Sequence, residues 1–460
     1  MAKHNWDPWP YDTLWQSGHK GITKTEKDDE GFWEDRGVKI PVTQGIPWLF
    51  NEPFGAFAEW QLKFQGSLAQ IVAEGDQINQ ELKGPETVSR KRLSKMLQAK
   101  REQVKLLQKI MAPLSMVADP QPSQHMLTPN QIANSQKLLG YFDNVFRDWC
   151  WGEEENQKSL EMIKDVCHGA HLGKTLVIGA GACRLPYDIF QEGLTNDLTV
   201  LDINPLLFLI ARRVMSGKKV QLYEFPLAPI NSDSFAKLQT LKAPEPVGPG
   251  FKMLLADGLE PPVGGEQYDT VITPWFVDIV HEPFEGVGAR VNRLLKPDGS
   301  WINFGSLAFF HRNYTHCYAR DEIPHLLEGV GFGKPKVVED RLPYLASPLS
   351  CQQRQELLLA FCVNKISSIG DVQSREVAVL PDWLVQTDVK VPVLPDFPNQ
   401  LLANRLFVDV IGRVDGNKTL SQLAEEIAPI FNFQHSQGIA LLKQVLGNLY
   451  EQSLKSPQFR

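Results

Sequence analysis

The chain has 460 residues, a formal net charge of −7, 43% apolar residues and 22% charged residues. That length sets an expectation of two or three domains, and the composition is that of a globular protein rather than a disordered or fibrous one. The acidic balance excludes a general attraction to nucleic acid or to an anionic membrane. The six cysteines show no CxxC or zinc spacing and read as free thiols in a reducing compartment.

The first residues, MAKHNWDPWPYD, hold no apolar signal core, and no apolar run is long enough to span a membrane, so a cytoplasmic location is expected. Residues 1–55 carry Trp6, Trp9, Trp15, Trp33 and Trp48 without a clear period and read as an irregular arm. Phe57, Trp60, Phe64, Leu68, Ile71, Ile78 and Leu82 recur at helical spacing, and a second, very basic helix is expected from about Glu86 to Met111. No aromatic residues interleave with those bases, so they read as a solvated face. The stretch 113–129 is a linker, with Thr128 and Pro129 as the next helix start. Leu138/Leu139, Phe142, Val145/Phe146 and Trp149 then form an apolar stripe, followed by a helix over about Lys158 to Val166. Arg147 at the end of that stripe reads as an ion-pair partner or a ligand contact.

From Lys174 the pattern alternates strand and helix. Thr175–Ile178 is an apolar strand, Gly179-Ala-Gly181 a tight turn, a helix starts at about Arg184, and Leu198–Leu201 is a strand ending at Asp202. Strand, glycine turn, helix, strand and carboxylate make a nucleotide-binding βαβ unit. There the glycines admit a ligand close to the backbone, and Asp202 can accept from both hydroxyls of a ribose. A dinucleotide loop needs a third glycine where this chain has Arg184, which disfavours a pyrophosphate and an NAD-dependent enzyme. S-adenosylmethionine has no phosphate and fits the looser turn.

A helix is expected at Pro205–Met215, followed by a proline-rich insertion over 225–249, long enough to cover the site. Further strands end at Asp257-Gly258, at Trp275–Asp278 and at Gly305, with helices over about Glu285–Leu295 and Glu322–Val330 and two closing strands near 336–340 and 357–363. Carboxylates and glycines at the ends of successive parallel strands mark the ligand-binding edge of an open α/β sheet. After 365 the character changes: proline-rich linkers precede a capped helix at Thr419, with Gln422 completing a capping box, and a last amphipathic helix. The expected organisation is an N-terminal arm and helices over 1–125, an α/β domain over 126–366, a linker over 367–398 and a small helical or winged-helix-like module over 399–460. That module reads as a packing or dimerisation appendage or as a site for a peptide partner.

Phe146-Arg-Asp-Trp149, Gly179-Ala-Gly-Ala-Cys-Arg-Leu185, Trp275-Phe-Val-Asp-Ile-Val-His281 and Leu295-Lys-Pro-Asp-Gly-Ser-Trp-Ile-Asn-Phe-Gly305 occur in this order. Together they make the stretch from about 137 to 348 resemble the carnosine N-methyltransferase family. The resemblance implies a seven-stranded class I methyltransferase sheet and S-adenosyl-L-methionine as cofactor, bound through Gly179, Gly181, Arg184, Asp202, Asn204, Asp257, Gly258 and Trp275. It also implies an N-methyltransferase acting on an imidazole of a histidine-containing small molecule or peptide. Asp278 would orient the ring, with His281, Tyr344 and His311 as further catalytic candidates. Cys183 stands where the family has glycine, and Asp202 where it often has glutamate. Methylation of another amine, thiol or ring nitrogen, and an inactive binding protein with this fold, stay open as alternatives.

Overall fold

The computed structural model describes residues 30–35, 38–50, 53–86, 88–115, 138–280, 282–309, 314–370, 382–393, 410–430 and 434–454. The chain forms two compact units, Met1–Pro53 with Tyr141–Ser374, and Phe54–Gly140 with Arg375–Arg460.

The first unit is built on a seven-stranded sheet. Its strands are β1 (Lys174–Ile178), β2 (Asp197–Asp202), β3 (Phe251–Leu255), β4 (Tyr268–Pro274), β5 (Leu295–Gly305), β6 (Lys336–Tyr344) and β7 (Arg354–Asn364). The spatial order is β6-β7-β5-β4-β1-β2-β3. The first five strands are mutually parallel, whereas β7 runs antiparallel to both β5 and β6. This is the class I methyltransferase sheet. The chain reverses direction twice between β5 and β6, so β6 ends on the same edge as the parallel strands, and Tyr344 joins Gly179, Asp202, Asp257 and Trp275 there.

The central strands are apolar because both faces are covered. Leu176, Val177 and Ile178 on β1 and Val271 and Ile272 on β4 are all buried, each such side chain contributing roughly 1.5–3 kcal/mol relative to exposure. The helix Pro205–Met215 starts where the sequence places it. Asn204 caps it, its side chain accepting from the N–H groups of Leu206 and Leu207, with proline in the first turn.

Three features differ from the sequence reading. The tryptophan-rich segment is not irregular where it is described: Glu30–Asp35, Val38–Thr43 and Ile46–Pro47 form an antiparallel three-stranded sheet. Trp48 then bridges Leu255 in parallel at the β3 edge, fully buried, its indole donating to the Thr43 hydroxyl at 3.0 Å. The proline-rich insertion contains a strand, Lys237–Leu241, which pairs antiparallel with Val220–Glu224. The apolar stripe over 138–149 is broken into turns, one short helix at Asn144–Phe146 and a π-helical turn at Arg147–Trp151.

In the second unit, helices Pro53–Glu81 and Arg90–Ser115 match the two periodic stretches near the N-terminus. The last helices, Leu420–Ile427 and His435–Leu454, share an apolar cluster that includes Leu423, Ile427, Leu442, Leu446 and, from the N-terminal helix, Ala69. Thr419 and Gln422 form the expected capping box. The sequence reading keeps the N-terminal helices and the C-terminal module apart; Ala69 of the first helix joins the apolar cluster of the C-terminal helices. Helices are the regular elements described over 382–454, and a winged-helix form is not confirmed. No helix among the described residues is long and apolar enough to cross a membrane. Thr128 and Pro129 lie outside the described residues.

Candidate cofactor and acceptor site

The glycine turn after β1 is fastened to the end of β2. The Gly181 N–H donates to one Asp202 carboxylate oxygen at 2.8 Å, and the Asn204 N–H donates to the other at 2.8 Å. Each oxygen keeps a further lone pair, so the carboxylate is pre-oriented and still able to accept from a diol. Burial pushes Asp202 up to about 6, against the pull of the Asn204, Gly181 and Ile203 N–H groups. Removing a charge from water in this way is offset when ligand hydroxyls donate to it.

The two glycines of the turn serve different ends. Gly181 has φ +55 and nothing within 4 Å of the position a Cβ would take, which leaves the ligand side of the turn open. Gly179 has φ +80, and its Cβ would lie 2.9 Å from the Phe276 ring. Gly258 faces the same ring, its Cβ position being 2.7 Å from Phe276 and 2.6 Å from Ile178. The buried Phe276 is therefore a wedge between both glycines, a packing residue rather than an exposed site wall. Asp257 accepts the Leu259 N–H at 2.8 Å, turning the chain after β3. Cys183 takes the place of a glycine in the left-handed region at φ +66, fully buried, with its thiol pushed well up by burial and by Asp202 and Asp148.

Arg184 and Asn204 are committed within the protein. The Arg184 guanidinium pairs with Asp188 at 2.8 Å, donates to the Asp148 carbonyl at 2.9 Å and reaches Glu153 at 2.9 Å. It braces the turn from behind, beside a cavity of about 210 Å³ that Arg147, Asp148 and Trp149 also line. The Asn204 side-chain oxygen serves as helix cap. Arg147 resolves as an ion-pair partner, with Asp148 at 2.7 Å and Glu155 at 3.4 Å. The π-helical turn that carries it requires Gly152, where a Cβ would lie 2.4 Å from Arg147 Cγ. Such turns recur at functional sites.

Beyond β4 the chain makes the other half of the site. Trp275 sits at φ +50, and its N–H donates to the Phe304 carbonyl at 2.6 Å. Its ring lies 4.9 Å from that of Tyr344, whose other neighbour is the Arg354 guanidinium at 4.3 Å. Three residues on, one Asp278 oxygen accepts the Ala308 N–H at 2.9 Å and the Ser306 hydroxyl at 3.4 Å. The other, Oδ1, is buried and has no hydrogen-bond partner among the described residues. Asp278 does not cap the helix that follows, because Phe284–Leu294 starts after Pro283. Burial holds the Asp278 carboxyl above the usual carboxylate range, partly offset by the Ala308 N–H. Tyr344 is likewise raised by burial. His281 and His311 lie outside the described residues.

The structure adds two residues that periodicity did not single out. Burial pushes the Tyr141 phenol up, and Tyr344, Asp278 and Asp202 act in the same direction. Asn144 keeps a buried side-chain oxygen without a partner among the described residues. The only available signal was their nearness to the Arg-Asp-Trp motif. The proline-rich insertion also reaches this side: the Ile230 N–H donates to the Leu349 carbonyl at 3.0 Å and the Cys351 N–H to Ala228 at 2.8 Å. It is thereby tied to the loop that follows Tyr344.

A family model described as carnosine N-methyltransferase matches residues 124–366. No protein in the comparison with curated proteins matches the chain. Solved structures that match part of the chain include a S-adenosylmethionine-dependent methyltransferase of Thermotoga maritima, described as a possible histamine N-methyltransferase. It has 13% identity and a TM-score of 0.28, over 48% of this chain and 99% of that one. Phosphoethanolamine N-methyltransferase 2 of Haemonchus contortus, in complex with S-adenosyl-L-methionine, is 12% identical over 52% of this chain and 60% of its own, with a TM-score of 0.33. A methyltransferase of Methanosarcina mazei is 15% identical over 44% of this chain and 97% of its own, with a TM-score of 0.30.

Proposed function

Since the chain belongs to the carnosine N-methyltransferase family and is a S-adenosylmethionine-dependent methyltransferase, we propose that its acceptor is an imidazole nitrogen of a histidine-containing small molecule or peptide. The observation that carries this reading is Asp278 Oδ1, a buried carboxylate oxygen with no donor among the described residues. A buried acceptor left unsatisfied is costly. An imidazole N–H satisfies it, and that bond fixes the ring tautomer, leaving the second nitrogen with its lone pair free to attack.

The cofactor supplies the electrophilic methyl group. This chain's residues bind, orient and exclude water. Asp202 and the open side of Gly181 hold the nucleoside. Asp278 orients the acceptor ring, and the paired rings of Trp275 and Tyr344 wall it. Rate enhancement then comes mainly from holding nucleophile and methyl carbon in line. Incubation with deuteromethyl-labelled cofactor and carnosine, followed by mass spectrometry with position of the label assigned by fragmentation, tests the reading. Label on a ring nitrogen supports it; label confined to an amine, or none, rejects it.

A further inference from the structure

The loop that holds Asp278 is itself held. Past Gly305 the chain runs Ser306-Leu-Ala308, and the two groups that hydrogen-bond Asp278 Oδ2 lie there, the Ser306 hydroxyl and the Ala308 N–H. Between them Leu307 takes a left-handed backbone at φ +53 while its side chain is buried in the core. A bulky residue in that region is strained, and the conformation persists only where its surroundings over-determine it. The buried leucine side chain is one constraint, and Arg320 is another. One guanidinium nitrogen of Arg320 donates to the Ser306 carbonyl at 3.0 Å and to the Leu357 carbonyl on β7. The other terminal nitrogen pairs with Glu339 on β6 at 3.2 Å. A planar fork of fixed donors can grip all three acceptors at once. Arg320 opens a short turn, Arg320–Glu322, which leads into the helix Ile323–Gly329. Ile323 and Leu327 are buried in the same core as Leu307, so the arginine is anchored by its own backbone while it fastens the loop to β7.

We propose that Arg320 is a positioning residue for methyl transfer: by gripping the Ser306 carbonyl it sets the loop that orients Asp278, with Oδ2 held by protein donors and Oδ1 left for the acceptor. The proposal rests on the acceptor reading above and deepens it. Arg320 acts through Asp278, and the bonds that matter are those to the two carbonyls. The ion pair adds little, because the Glu339 side chain is 46% exposed and pairs open to water are weak.

The test compares two variants of the full chain. Arg320→Lys keeps a positive charge beside Glu339 and removes the fork. Glu339→Gln removes the ion pair and leaves both carbonyl bonds. The readouts are amide hydrogen exchange over 305–309, S-adenosylhomocysteine affinity by calorimetry, and steady-state transfer to carnosine, the last also in the Asp278→Asn background. Arg320→Lys should speed exchange over 305–309 by about tenfold. Affinity should stay within about threefold while kcat falls about tenfold or more, a loss that misplacing an orienting group by about 1 Å can produce. In the Asp278→Asn background the same substitution should cost less than about threefold, because the group it positions is already altered. Glu339→Gln should match wild type throughout. Unchanged exchange over 305–309 in Arg320→Lys overturns the proposal, as does an equal loss of kcat in the Asp278→Asn background, which marks a merely structural role. Transfer by Glu339→Gln as slow as by Arg320→Lys assigns the effect to the ion pair and overturns it too. Faster exchange in Arg320→Lys, with a wild type that does not methylate carnosine, rejects the imidazole reading and sustains the grip of Arg320 on the Asp278 loop.

Discussion

The indole Nε1 of Trp149 donates to the carbonyl of Ala182 at 2.8 Å. This bond joins the Arg-Asp-Trp helix end to the glycine turn, and Arg184 reinforces it by donating to the Asp148 carbonyl. Two motifs far apart in sequence are thus one structural device, which holds the turn against the end of β2. Trp149→Phe keeps the buried ring and leaves the Ala182 carbonyl without its donor. The expected cost is about 1–3 kcal/mol of stability, read by denaturant unfolding, with a several-fold loss of S-adenosylmethionine affinity. Unchanged affinity would show that the turn holds its shape without the helix.

Asp202→Ala removes the acceptor of the Gly181 and Asn204 N–H groups as well as the expected ribose contact. Cofactor affinity should fall by roughly 1.5–3 kcal/mol, about tenfold or more, by titration calorimetry. The pH dependence follows from the direction of the shift. With its carboxyl raised to about 6 in the ligand-free fold, Asp202 favours that fold at low pH, and this contribution is lost as pH rises through about 6. Hydroxyl donors favour the ionised form, so cofactor affinity in the wild type should decline below pH about 6 and lose that dependence in the alanine variant.

Gly258→Ala places a methyl group against Ile178 and the Phe276 ring. Phe276 is already in contact with Gly179, so it has no free direction in which to yield. Overpacking of this kind costs about 1–3 kcal/mol, and here the displaced ring bears on the cofactor turn. Thermal melting and cofactor affinity should fall together. A variant that melts and binds as wild type would mean that the wedge has room to move.

Deleting Arg375–Arg460 leaves every described cofactor and acceptor residue in place, because all fall within the first unit. Cofactor affinity should stay within about threefold. The same deletion strips the apolar cluster that Ala69 shares with the C-terminal helices, and exposed apolar surface promotes aggregation. Light scattering should therefore rise while calorimetry of the soluble fraction is unchanged. A soluble truncation blind to the cofactor would contradict the division of labour between the units.

The sheet was legible because its central strands are continuous apolar runs between polar ends, as Leu176–Ile178 shows, and because Gly181 and Asp202 mark the turn and the strand tip. Asn204 was legible as a strand-end polar residue, but the role it takes is helix capping. Arg184 takes a local partner: four residues on, Asp188 pairs with its guanidinium on the same helix face. The π-helical turn left no periodic trace, since it depends on Gly152 yielding to the Arg147 backbone. The strand Lys237–Leu241 sits in a stretch whose residues are largely exposed, so no buried face imposed a pattern. Tyr141 takes a left-handed backbone at φ +59 within a run of turns, which no local sequence signal reports.

The measurement that bears most directly on the proposed acceptor is the Asp278→Asn variant, followed by paired assays. The substitution keeps the size of the side chain and its bond to Ala308 while removing the charge. Cofactor contacts come from other strand ends, so S-adenosylmethionine affinity by calorimetry should match wild type. Methyl transfer to carnosine should fall by about 100-fold or more, the loss expected when a positioned partner of the reacting group is removed. In the wild type, transfer should also decline at acidic pH. Imidazole protonates near a pKa of about 6.5, and Asp278, raised by burial, must be ionised to accept the ring N–H. Equal cofactor affinity with about 100-fold slower transfer is the predicted result; full transfer by Asp278→Asn would contradict the assignment of Asp278 as the residue that holds the acceptor ring.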